Sequence, residues 1–107
     1  MADTLRDLIQ STQALYERFG QTPQHSIVKR VFEEEVAELI EATEEGLDHQ
    51  HIAEEAADVF VTAIGMCLAA GLDTELLIRQ AHAVIAKNNA KTHETHAINE
   101  YGKIARR

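Results

Sequence analysis

The sequence predicts an all-α fold, an antiparallel four-helix bundle-like domain that completes its core by oligomerisation. Three observations lead there. One Pro and five Gly in 107 residues leave long uninterrupted stretches, and these are rich in the helix formers Ala, Glu and Leu. Apolar residues recur at spacings of three and four, the period of a helix face. One segment, Ala56 to Ala70, is apolar nearly all round and carries more apolar surface than one small monomer can cover. The whole chain, 1–107, reads as a single helical domain.

The first helix is expected over about 3–19, from the stripe Leu5, Leu8, Ile9, Thr12, Leu15, Tyr16 and Phe19. Gly20 suits its C-terminal cap, and Pro23 marks a loop. The second helix is expected over 26–45, with Ser26 as N-cap and Gly46 as the stop. The third runs over 48–70 and, from its composition, should be the most buried. The fourth, 74–90, follows Asp73 as N-cap with Leu72 as a hydrophobic staple. The polar tail 91–107 contains Gly102 and reads as a short or partly ordered arm. Short connections between the helices suggest hairpins.

The formal net charge is −8. That argues against a nucleic-acid backbone or an anionic membrane as the main partner, but not against a single nucleotide, because bound metal ions can reverse the local sign. The lone Cys67 excludes an intramolecular disulfide and reads as a small core residue. Asp3, Arg6 and Asp7 interrupt any signal-peptide pattern, and no uncharged run is long enough to span a membrane. A cytoplasmic protein is expected.

Four carboxylates stand where core residues belong. Each helical residue turns by about 100°. On that projection Val28, Val31, Phe32, Leu39 and Ala42 fall within about 60° of Glu35, and Glu38 falls with them. Around Glu55 the same projection gathers Ile52, Val59, Met66 and Asp58. Glu38 precedes Gly46 by eight residues and Glu55 follows it by nine, so a hairpin brings both pairs to one level. Carboxylates placed among apolar residues are normally paired or metal-bound, and no basic partner is evident in the sequence. An all-oxygen set suits Mg²⁺, with Mn²⁺ able to substitute. The Glu-x-x-His pattern of bundle di-iron sites is missing. Glu33, Glu34, Glu41, Glu44, Glu45 and Glu54 read as a solvated acidic face or its margin.

Glu34-Glu35-Val36-Ala37-Glu38, followed after sixteen residues by Glu55-Ala56-Ala57-Asp58, resembles the EExxE…ExxD signature of the MazG-like all-α nucleoside triphosphate pyrophosphohydrolases. Phe19-Gly20 before Pro23, Gly65 and Gly71-Leu72-Asp73 resemble further family positions. Asn88-Asn89-Ala90-Lys91 and Gly102-Lys103-Ile104 resemble elements of the branch that includes phosphoribosyl-ATP pyrophosphohydrolase and the MazG-like dUTPases. The resemblance covers about 12–106. It implies a homodimer or homotetramer and Mg²⁺-dependent, house-cleaning hydrolysis of a nucleotide to a monophosphate and pyrophosphate. It places metal ligands at Glu35, Glu38, Glu55 and Asp58. Glu34 matches an acid proposed in some members to orient or deprotonate water, so Glu34 and Glu35 are the catalytic candidates.

Phosphoanhydride cleavage also needs contacts to the substrate's phosphates. Lys91 and Lys103 are the candidate point charges, and Asn88 a hydrogen-bonding companion. Of the six histidines, His49, His51, His93 and His96 read as solvated surface and His82 as a helix-surface or partly buried residue, and Arg106 and Arg107 read as part of a basic tail. Tyr16 and Phe19 read as core packing rather than base-stacking groups. Two other functions stay open: a catalytically silent, metal-binding helical interaction module, and a phosphoribosyl-ATP pyrophosphohydrolase. The residues do not choose the base, the phosphorus attacked or the number of metals.

Overall fold

The computed structural model describes residues 3–107, and it is all-α but for one small hairpin. Helices α1 (Thr4–Arg18), α2 (His25–Glu44), α3 (His49–Ala69) and α4 (Thr74–Ala90) are followed by strands β1 (His96–Ile98) and β2 (Ile104–Arg106). The chain forms two compact units, 1–77 and 78–107.

The first unit is organised by α3, which packs against α2 and, less extensively, against α1. Its helix starts are fixed by aspartates. Asp3 Oδ1 accepts the Arg6 N–H at 3.0 Å, Asp48 Oδ1 the His51 N–H at 2.9 Å, and Asp73 Oδ1 the Leu76 N–H at 2.7 Å. Each acceptor satisfies a donor that the first helical turn leaves free. Helix α2 departs from this scheme. It starts at His25 rather than at a Ser26 cap, and Gln24 stands at its N-cap position with no side-chain hydrogen bond. The stops are glycines: Gly20, Gly46 and Gly71 adopt φ of 62°, 67° and 84°, a region costly for any residue with a Cβ.

The core gathers Ile9 and Thr12 of α1, Val28 and Ala42 of α2, and Ile64 and Gly65 of α3. Only Ile64 and Gly65 of α3 are fully buried, and Phe60 is 60 % exposed, so in one chain α3 is less covered than its composition suggests. Phe19 is 75 % exposed. It sits at the C-cap of α1, where the helical stripe ends, and so lies outside the core expected for it. Arg6 forms a two-pronged ion pair with Glu75, one prong being Nη2 to Oε2 at 3.3 Å.

The second unit corrects the view of the tail as an arm. β1 and β2 pair antiparallel, with His96 opposite Arg106, Ala97 opposite Ala105, and Ile98 opposite Ile104. Asn99 Oδ1 accepts the amides of Tyr101 and Lys103 and so closes the turn, while Gly102 supplies φ of 81°. Arg107 is anchored as well: its amide donates to Thr95 O at 3.0 Å and its Nε to His93 O at 2.8 Å.

Candidate metal centre

Helical spacing puts an acid in the middle of the buried stripe of α2. Val28 and Ala42 are buried, Phe32, Glu35 and Leu39 are half-buried, and Glu38 lies on the exposed margin. On α3, Ile52, Glu55, Ala56 and Val59 are half-buried and Asp58 is marginal. The short connection over 45–48 turns the two stripes toward each other. One carboxylate oxygen each from Glu35, Glu55 and Asp58 lies within 4.8 Å of the other two. Glu38 adjoins both Glu35 and Glu55, and its negative charge acts on each.

The electrostatics are those of crowded acids. Glu35 is pushed above its ordinary carboxylate range, first by burial and then by Glu38, Asp58 and Glu55. Glu55 is also raised, first by burial and then by Glu38. His51 opposes that rise: its Nε2 stands 3.3 Å from Glu55 Oε1. This is the basic neighbour missed in the sequence, though the one-turn spacing of His51 and Glu55 was the available signal. Glu35 Oε2 and Glu55 Oε2 are buried and have no hydrogen-bond partner. Two such oxygens, from different helices in one acidic group, fit a hard divalent cation.

Glu34 is exposed and 3.9 Å from Arg30 Nε, a surface ion pair one turn apart. Asn88 and Lys91 are together in the second unit, where Lys91 Nζ donates to Asn88 Oδ1 at 3.2 Å. They line a common cavity there. Lys103 stands in the hairpin turn and is not among that cavity's lining residues. His93, His96 and Arg107, read in the sequence as surface, do line it.

Fold and cluster together define an all-α protein with a group of acids that could hold a metal ion. Residues 1–84 match the family described as phosphoribosyl-ATP pyrophosphohydrolase, and the chain belongs to that family of metal-dependent nucleotide pyrophosphohydrolases. The match spans all four acids and stops short of Asn88, Lys91 and the hairpin. No curated protein and no solved structure matches the chain significantly.

Proposed function

We propose that the protein is a Mg²⁺-dependent pyrophosphohydrolase that cleaves a (d)NTP or related nucleotide to the monophosphate and pyrophosphate. The observation that carries this is the pair of bare buried oxygens, Glu35 Oε2 and Glu55 Oε2, inside a group of acids. Glu35, Glu38, Glu55 and Asp58 would hold the metal. When bound, Mg²⁺ supplies Lewis-acid neutralisation of phosphate charge and lowers the pKa of a coordinated water. The remaining work falls to side chains. Glu34, exposed beside the centre's helix face, is suited to orient or deprotonate the attacking water. Asn88, Lys91 and Lys103 are assigned to the substrate on the strength of the Asn-x-x-Lys and Gly-Lys resemblance.

The protein is proposed to work as a homodimer or homotetramer, because α3 leaves apolar surface such as Phe60 uncovered. No described helix is long and apolar enough to cross a membrane, and a nucleotide substrate with a single cysteine fits a cytoplasmic setting. The family match favours one narrower reading, with phosphoribosyl-ATP as substrate. The test is pyrophosphate release from a panel of NTPs, dNTPs and phosphoribosyl-ATP, in Mg²⁺ and in excess EDTA. Turnover of several nucleotides in Mg²⁺ only is expected. Turnover of phosphoribosyl-ATP alone would select the narrower reading. Full turnover in EDTA would refute the metal centre, and no turnover at all would leave a silent module.

A further inference from the structure

The second unit carries an open, concave pocket of about 870 Å³, well within the size range of small-molecule sites. Its polar lining comes from Asn88, Lys91, Thr92, His93, His96 and Arg107, and an apolar wall from Ala97, Ile98 and Ile104. No Asp or Glu side chain lines it, in a chain whose formal net charge is −8.

The internal hydrogen bonds of the unit leave this lining rich in donors. Asn88 spends its carbonyl oxygen on Lys91, so its amide N–H groups remain. Lys91 keeps two further ammonium protons. Arg107 uses Nε on the His93 carbonyl, which fixes the guanidinium plane and leaves both terminal amino groups. His96 Nδ1 lies 2.7 Å from Thr95 Oγ1, and Nε2 is then its uncommitted ring nitrogen. The wall that carries these groups is braced by the Arg107 amide on Thr95 O and by the strand pairing.

We propose that this hairpin unit is a phosphate-anion receptor that works without metal, with Lys91 and Arg107 as the charged contacts and His93 and His96 beside them. A planar guanidinium and an ammonium that line one concave site together with amide donors match tetrahedral oxyanions. The apolar wall accommodates the uncharged body of a phosphorylated small molecule. The inference deepens the hydrolase reading and rests on its assignment of substrate phosphates to Asn88 and Lys91, adding Arg107, His93 and His96 to that set. It shares Asn88 and Lys91 with that reading but does not rest on the carboxylate cluster.

The test is titration of the full chain in excess EDTA with inorganic pyrophosphate, a nucleoside monophosphate and the parent nucleoside, followed by amide NMR shifts. Pyrophosphate is expected to bind with Kd of about 1 mM or tighter and to shift amides of Lys91, His93, His96 and Arg107. The monophosphate should bind by the same residues, and the nucleoside should not bind. Arg107→Ala should weaken pyrophosphate at least about tenfold, and His93→Gln, which keeps the backbone carbonyl that holds Arg107, about threefold. The cross-strand Ala97 and Ala105 amides report whether the hairpin survives each change. Arg107→Lys keeps the charge without the fork and should fall between parent and Arg107→Ala. Glu55→Gln should leave binding within about twofold of the parent, which separates this site from the metal centre. Absent binding, shifts confined to residues 1–77, loss of binding in Glu55→Gln, or nucleoside binding as tight as the monophosphate would each overturn the proposal.

Discussion

Gly65 of α3 faces Tyr16 of α1 at close range, and adding one methyl group there gives a sharp test of the packing. A Cβ on Gly65 would stand 2.8 Å from Tyr16 Oη, with Tyr16 Cζ next at 3.8 Å and Val28 Cγ1 at 3.9 Å. Only the first contact is too close, and it is made by the end of a rigid ring. Replacing Gly by Ala inside a helix gains about 1 kcal/mol from backbone entropy. Forcing extra volume into a packed site costs about 1–3 kcal/mol. Gly65→Ala should therefore be net destabilising by about 0–2 kcal/mol. In a Tyr16→Phe background the oxygen is gone and the remaining neighbours are at ordinary contact distance. There Gly65→Ala should stabilise by about 1 kcal/mol, which makes the coupling between the two sites about 1–3 kcal/mol. Urea unfolding of the four proteins at one protein concentration measures this, and on heating each kcal/mol corresponds to roughly 4–8 °C. An identical effect of Gly65→Ala in both backgrounds would refute the placement of Tyr16 against α3.

Glu38→Gln and Asp58→Asn should each abolish nucleotide hydrolysis, yet leave the metal-free protein melting at the same or a higher temperature, since one member of a like-charged group is gone. A large loss of metal-free stability would show these acids to be structural. The pH dependence follows from Glu35 and Glu55, whose folded pKa values are raised from 4.5. Their contribution is complete below about 4.5 and is lost as pH rises through the raised values. Metal-free Tm of the parent, relative to that of Glu35→Gln, should therefore fall over this rise; a parent Tm that rises relative to the variant's as pH increases would contradict the burial of Glu35. Light scattering at micromolar concentration should report a dimer or larger, and a well-behaved monomer would contradict the uncovered face of α3.

Much of the helical framework was legible because its signals are local. Asp3, Asp48 and Asp73 cap helices by bonding amides three residues on, and glycines with positive φ end them. The convergence of Glu35, Glu55 and Asp58 was legible because helical pitch and one short turn determine their level. The hairpin was not. Its strands are three residues each, too short for a visible alternation, and the informative feature was the turn from Asn99 to Gly102. Phe19 follows the α1 stripe in sequence but stands at the cap, where periodicity no longer tells which way a side chain faces. Ser26 is a good capping residue one position inside a helix that starts without a side-chain cap.

The Arg6–Glu75 pair has a meaning for how this sequence can vary. It joins residues 69 apart, near the two ends of the first unit, so that unit is closed on itself. A body whose ends meet tolerates exchange of whatever is attached beyond them. The four acids lie inside that closed body, whereas the donor-rich hairpin cavity lies wholly past residue 77 and past the stretch matched to the family. Ligand preference can therefore drift by replacement of one short terminal segment while the carboxylates stay untouched. For engineering, the unit boundary at 77/78, just after the first turn of α4, is the natural point at which to graft a different terminal segment onto an unchanged body that carries the four acids.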